Sequence, residues 1–371
     1  MSEEAEQRER LSRRFQERRL AELVRQIDAV QIYERITEQV IGQDVLAALI
    51  ANKVSDSLLL EKTGKPRCSV FLSGEAGLGK TFMAEIAAKE AYPDVSEPYR
   101  IIPLGGVTTK EELGAKLRGV GSRFHGGPLD GELIEYLKRN QSTGGVVIFD
   151  EIDRPLGDHP DQQNLFLQML DKGTVEHADG GEPHSLEKFV LFFTANASDA
   201  EFTQKAREVY AKHSVEIDQA RQRPVLVPRN SEISKPFEQI LTRGETFKEP
   251  FTRRLDLIAG VERPSKDDET FGLRLAEVIL KKTYGKHFKN FDGFEELEDD
   301  EVMLWLTEQV IDPEKGPSRA EREFLTLFEE QLADILRARI NHGLERKFSP
   351  RLDWDAENKS PLLVDKAAPY E

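Results

Sequence analysis

The sequence predicts an α/β protein: a parallel sheet covered by helices on both faces, followed by a smaller, mainly helical domain. Three observations predict it. Short apolar strands alternate with amphipathic helical stretches from about residue 36 to 264, an alternation that implies parallel strands joined by crossover helices. A glycine-rich turn, "SGEAGLGKTF" at residues 73–82, sits between the first of these strands and the helix after it. From about Ser265 the strand signal fades and helical patterns at 267–282, 299–309 and 318–343 take over.

Taken in order, residues 3–35 mix acidic and basic side chains almost evenly, with Leu20, Leu23, Ile27 and Val30 at helical spacing. Segment 1–35 therefore reads as an amphipathic arm, either a docking element for a partner or a charged helix laid against the core. The large domain, 36–264, has predicted strands at 68–72, 100–104, 146–150, 189–194 and 256–261, and helices at 80–91, 129–139 and 161–171. Phosphate ligands of such sheets bind at the carboxyl ends of the strands. The small domain, 265–349, joins its helices by polar links, among them "FDGFEELEDDE". The tail, 350–371, is polar and interrupted by Pro361 and Pro369; it is expected to be flexible, with Trp354 and "PLLV" as the parts able to dock.

The 371 residues suffice for two or three domains with a sizeable core. A net charge of −16 argues against a broad nucleic-acid footprint, which needs many Lys and Arg facing phosphates. Cys68 is the only cysteine, so no intrachain disulfide or cysteine-based zinc site forms, and its place beside a buried strand suits a small core residue. The start, "MSEEAEQRER", carries no secretory pattern. The longest apolar runs, "GVVIF" and "FVLFF", fall far short of the ~20 residues that span a bilayer. A cytoplasmic protein without a membrane partner is the expectation.

The chemistry starts at the glycine-rich turn. Gly74, Gly77 and Gly79, with Lys80 and Thr81, fit G-x-x-x-x-G-K-[ST] between a strand and a helix. The glycines let successive backbone N–H groups face the phosphates of a nucleoside triphosphate, and the following helix aims its positive end at them. Lys80 is placed to neutralise the β- and γ-phosphates, and Thr81 to offer a hydroxyl to Mg²⁺. "GGVVIFDEID" is a buried strand ending in adjacent carboxylates. Asp150 suits Mg²⁺, directly or through water, and Glu151 suits activation of the attacking water. "EKFVLFFTANAS" is a third buried strand ending in Asn196, whose amide would lie between the first two motifs and reach the water or the γ-phosphate. "FKEPFTRRLDLIAGV" puts arginines before a fourth apolar strand; Arg254 suits either a grip on a γ-phosphate or a surface salt bridge.

Together these motifs resemble the AAA+ ATPases, and among them the Clp-type unfoldases and disaggregases, particularly their second ATPase ring. The resemblance covers roughly 36–345 and implies an AAA+ parallel-sheet P-loop ATPase domain with a small helical domain, using ATP and Mg²⁺. "QVIGQDVLAALI" is similar to the family segment that contacts adenine, which implicates Ile41 and Gly42. "NLFLQMLDKGTVEHADG" is similar to a specific family hairpin. "EPFTRRLD" resembles the family's P-E-F-x-N-R-I-D, which puts Arg254 at the arginine finger acting on a neighbouring subunit and so implies a homo-oligomer, usually a hexamer. "VIDPEKGPSRAEREF" resembles the segment whose arginine senses the γ-phosphate from the same chain; one residue more follows Gly316 than the family has, leaving Arg319 or Arg322 for the role. "GVGSRFHGGPLDGELIEYL" aligns with a pore loop that grips a threaded polypeptide, placing Phe124 at the aromatic and His125 where the family has an apolar residue.

Against the family pattern the expectation is a single ATPase module, with no folded substrate-collecting domain before residue 36 and no I-G-[FL] protease-docking tripeptide. The stretch 198–246 is longer than the family leads one to expect and reads as a partner-binding insertion or as a surface helix and loop. Scattered histidines point to no metal beyond Mg²⁺. "NKVS" at 52–55 lacks the aspartate of a guanine-reading motif, which disfavours a small GTPase. Two functions follow: an ATP-driven ring that remodels, unfolds or translocates a protein or peptide substrate, or a nucleotide-dependent switch on a partner complex in defence, secretion or nucleic-acid processing.

Overall fold

The computed structural model describes residues 28–60, 62–121, 129–158, 162–196, 199–228, 233–244, 246–263, 269–287, 300–311, 317–341 and 350–365. Contacts divide the chain into two units, Met1–Thr37 with Gln43–Glu262, and Glu38–Gly42 with Arg263–Glu371.

In the first unit the strands are β1 (Cys68–Ser73), β2 (Tyr99–Pro103), β3 (Gly145–Asp150), β4 (Thr174–Val175), β5 (His184–Ser185), β6 (Phe189–Ala195), β7 (Ser214–Asp218), β8 (Arg223–Val227) and β9 (Leu257–Gly260). Five of them form one sheet in the order β2-β3-β6-β1-β9. All its pairings are parallel, for example Val70 beside Phe192 and Ile148 beside Phe192. Every residue of β1 and β6 is buried, the signature of strands covered on both faces by helices. β6 lies between β1 and β3, so the carboxyl ends of the three chemistry-bearing strands are adjacent.

Aromatic rings fill one face of this sheet. Phe149 of β3 stacks on Phe193 of β6 with centroids 5.1 Å apart. Phe166, from helix Gln163–Lys172, meets both rings edge-on at 5.3 and 5.9 Å. Phe251, from helix Glu249–Thr252, meets Phe193 at 5.6 Å and Phe71 at 6.5 Å. Such pairs add specific geometry to area burial, and they seat two short helices that bear polar residues discussed below.

Two regions differ from the sequence expectation. Within 198–246 the structure holds helix Asp199–Tyr210, the antiparallel hairpin β7–β8 and helix Ser234–Arg243, so a hairpin stands where a helix and loop were one of two readings. The hairpin is tied to helix Asp44–Leu59 by Arg223, which donates to Asn52 Oδ1 at 3.0 Å and to both oxygens of Asp56 at 3.2–3.3 Å.

In the second unit, helices Glu269–His287, Asp300–Ile311 and Pro317–Asn341 surround a core that includes Leu280, Leu306, Phe324 and Phe328. The segment expected to be a flexible tail instead forms an antiparallel hairpin, β10 (Pro350–Asp355) and β11 (Ser360–Asp365), pairing Trp354 with Pro361. Leu352 and Leu363 enter the helical core. Pro361 reads as a breaker, yet it stands next to the first residue of its strand, where a missing N–H is tolerated. Gln331 completes the docking: its Nε2 donates to Pro361 O at 2.9 Å and its Oε1 accepts from Leu363 N at 2.5 Å.

Candidate active site

The glycine-rich turn takes up the backbone that its glycines permit. Gly79 is in the left-handed region at φ 83 and caps helix Lys80–Ala91, a conformation that costs glycine nothing. Gly74 has φ 152, and a Cβ there would stand 3.1 Å from Val261 O on the adjoining end of β9. The curled turn brings Lys80 back over itself. Its side chain is buried, with Nζ donating to Gly74 O at 2.7 Å, Glu75 O at 2.8 Å and Asn196 Oδ1 at 2.9 Å. A buried ammonium needs such acceptors.

One residue on, Thr81 Oγ1 donates to Asp150 Oδ1 at 2.6 Å. Thr194 Oγ1 donates to the same Oδ1 at 2.5 Å and accepts from Glu151 N at 3.2 Å. Asp150 therefore accepts the Thr81 hydroxyl's hydrogen bond and leaves that oxygen's lone pairs for a hard cation, the donor chemistry that Mg²⁺ requires. The residues present fit a nucleoside triphosphate with Mg²⁺: glycine backbone, buried lysine, and paired hydroxyl and carboxylate oxygens.

Glu151 sits in the left-handed region at φ 57, unusual for a non-glycine residue and typical of functional sites. Its carboxylate lies against Gly105, just past β2, where an added Cβ would stand 1.8 Å from Oε2. Among the described residues no hydrogen bond engages that carboxylate, so it is available to a water. Asn196 N donates to Asp153 Oδ1 at 3.2 Å, which orients the end of β6.

Lys80, Thr81, Asp150, Glu151 and Asn196 are thus brought together at the carboxyl edge of the sheet. Arg254 bonds none of them; its Nε donates to Asp171 Oδ1 and its Nη1 to Pro250 O. The bond to Asp171 raises the pKa of its guanidinium further. Ile41 and Gly42 fall within the Glu38–Gly42 segment of the second unit. Arg319 begins helix Pro317–Asn341, where it is exposed and donates to Glu323 Oε1 at 2.8 Å. Phe124 and His125 lie outside the described residues. Burial pushes the Cys68 thiol up to about 12, which makes it an inert core side chain.

Sequence reasoning passed over Thr194, Asp153, Gly105 and Asp171. Thr194 had a signal: a polar residue inside the apolar run "FVLFFTA", two positions before Asn196 and so on the same strand face. The others had none, because their roles depend on which elements meet.

A family model described as AAA domain (Cdc48 subfamily) matches residues 65–257. Chaperone protein ClpB 2 of Nostoc sp. is 25% identical over 321 residues, covering 85% of this chain and 32% of that protein. Chloroplastic chaperone protein ClpC1 of Arabidopsis thaliana is 24% identical over 343 residues, covering 90% of this chain and 33% of that protein. The chain spans about a third of the length of these curated relatives. The S. cerevisiae Hsp104:casein complex in its extended conformation aligns with a TM-score of 0.65 at 18% identity, over 91% of this chain and 52% of that one. The closed-state reconstruction of Hsp104 with ATPγS and FITC casein gives 0.61 at 18% identity, over 91% and 51%. These two likenesses establish the fold. With the family model matched over more than half of its length, and with a glycine-rich loop, paired carboxylates and Asn196 converging on one sheet edge, this chain belongs to the AAA domain family and is a Clp-type AAA+ ATPase.

Proposed function

We propose that the chain binds ATP with Mg²⁺ and hydrolyses it to drive motion between copies of itself, remodelling or unfolding a protein substrate. The observation that carries this reading is the convergence of Lys80, Thr81, Asp150 and Asn196 through bonds of 2.6 to 2.9 Å beside the uncommitted carboxylate of Glu151. Bound Mg²⁺ would neutralise charge on the phosphates, held through Thr81 and Asp150. Lys80 binds the β- and γ-phosphates. Glu151 accepts the proton of the water that attacks the γ-phosphorus. Asn196 uses its Oδ1 on Lys80, which leaves its amide Nδ2 to orient that water or the γ-phosphate. Ile41 and Gly42 receive the adenine, and Arg319, or Arg322 in its place, senses the γ-phosphate.

Arg254 supports an oligomer. An arginine exposed at 33% and bonded to none of the site residues of its own chain suits a phosphate on a neighbour, in a homo-oligomer for which the Clp resemblance supports a hexamer. Phe124, with His125, is the proposed grip on a threaded polypeptide. The Hsp104 structures that this chain resembles hold casein, which supports a protein substrate here. The mass of the full-length Glu151→Gln protein, measured with and without ATP, tests the proposal. A nucleotide-dependent assembly near six subunits supports it, and a monomer under both conditions overturns it.

The alternative reading, a nucleotide-dependent switch on a partner complex, draws on the hairpin β7–β8, partly exposed and tied to Asn52 and Asp56, as a surface for a partner. Phe124→Ala separates the two: it abolishes a threading activity and leaves a switch intact.

A further inference from the structure

The backbone around Arg254 is fixed from both sides. Three residues before it, Phe251 stacks on Phe247 at 5.6 Å and meets Phe193 edge-on. Two residues after it, Asp256 Oδ2 accepts from the backbone N–H of Ser69 at 2.9 Å, while Asp256 Oδ1 pairs with Lys62 at 2.9 Å. Arg254 itself offers its carbonyl to Ser69 Oγ, 3.1 Å away. The remaining freedom lies in the side chain, and arginine is among the residues with most rotamer freedom to lose.

That freedom is also restricted. Asp171 takes Nε and the carbonyl of Pro250 takes Nη1, while Nη2 has no acceptor among the described residues. Asp171 stands in the last turn of helix Gln163–Lys172, which Phe166 pins to the sheet. Both side chains remain accessible, 33% for Arg254 and 43% for Asp171. A surface pair of this kind adds little to stability, so its effect is on where the guanidinium points.

We propose that Asp171 is a positioning residue for Arg254: with the Pro250 carbonyl it holds Nε and Nη1, so that the Nη2 edge meets the γ-phosphate bound to a second copy of this chain. The proposal rests on the reading of Arg254 as an arginine finger. It requires Asp171 to act only through Arg254, which a structural residue would not do.

The test is a double-mutant cycle on the full chain: wild type, Asp171→Ala, Arg254→Ala and the double variant, with kcat and KM for ATP measured where the wild type is assembled. Arg254→Ala should lower kcat by about 10³-fold. Asp171→Ala should lower it by roughly 10- to 100-fold with KM unchanged, the scale of a misaimed group. The double variant should match Arg254→Ala alone, and Asp171→Asn, which keeps an acceptor oxygen, should recover most of the rate. If Asp171→Ala fails to fold, Asp171→Glu takes its place; it keeps the charge, shifts the carboxylate by one methylene, and should lower kcat only where Arg254 is present. An equal loss in both Arg254 backgrounds overturns the proposal, as does unchanged or faster turnover of the Asp171 variants beside a dead Arg254→Ala. Wild-type turnover by Arg254→Ala overturns the finger reading itself, and this proposal with it.

Discussion

Lys80 and Asn196, 116 residues apart in the chain, meet through a 2.9 Å hydrogen bond from Nζ to Oδ1. The bond exists because β6, which leads into Asn196, is the immediate parallel neighbour of β1, which leads into the glycine-rich turn. It ties the lysine proposed to bind the phosphates to the residue proposed to orient the attacking water.

The two ends of that bond should have separable effects. Lys80→Ala is expected to lose ATP binding. Asn196→Ala leaves Lys80 its two carbonyl partners, Gly74 and Glu75, so binding should persist while kcat falls by about 100-fold. Titration with a fluorescent nucleotide and steady-state hydrolysis decide this; equal loss of binding in both variants would contradict the division of roles.

Glu151 is expected to act as the base. Glu151→Gln should bind ATP and hydrolyse it more slowly by about 10²- to 10⁴-fold. A variant that turns over normally would assign the base elsewhere.

Gly105 tests the same carboxylate from outside. A Cβ at that position falls 1.8 Å from Glu151 Oε2, the movable end of a side chain. Gly105→Ala should therefore fold normally and displace the carboxylate, with kcat lowered roughly 10-fold or more. Circular dichroism with a turnover assay separates this from a folding defect, which would appear as a large drop in Tm.

Alkaline pH should weaken the fold. Burial pushes Cys68 up to about 12, and burial with Asp44 beside it raises Tyr33 to about 12; burial raises Tyr92, Tyr136 and Tyr210 further. A group whose folded pKa exceeds its unfolded one stabilises fully below the unfolded value and loses that contribution as pH climbs toward the folded value. Stability should therefore begin to fall above about pH 8.5, where Cys68 ionises in the unfolded chain, and fall more steeply above about pH 10, where the tyrosines do. Urea titrations from about pH 8 to 11 check the sign. Under native conditions at about pH 8 the Cys68 thiol should also resist alkylation, and rapid labelling would place it outside the core.

The carboxyl-terminal hairpin should be structural. Leu363→Ala removes a side chain that is 4% exposed in the helical core and is expected to cost about 2–5 kcal/mol of that unit's stability. Truncation before Pro350 should cost more. Limited proteolysis and thermal unfolding report it, and an unchanged melt would mean that the hairpin contributes nothing to the core.

Local signals located much of the molecule. The apolar runs at 68–72, 146–150 and 189–194 became β1, β3 and β6 within a residue or so, because a strand buried on both faces must be apolar throughout. Lys80, Thr81, Asp150, Glu151 and Asn196 were legible because each sits at a strand or turn end where a polar residue interrupts such a run. The hairpin β10–β11 was not, since Pro361 and the polar residues around it look locally like a broken tail. What makes it a sheet is a hydrophobic surface supplied by helices elsewhere in the chain.

The sequence by itself therefore determined the alternation of elements, the curl of the glycine-rich turn and the chemistry available at each strand end, all consequences of local backbone and side-chain preference. The tertiary structure alone decided that β6 lies between β1 and β3, that Thr194 shares Asp150 with Thr81, that Glu151 rests on Gly105 and that Asp171 takes hold of Arg254. These are meetings between residues far apart in the chain, and strand order and aromatic packing, not local propensity, set which side chains come within a hydrogen bond of one another.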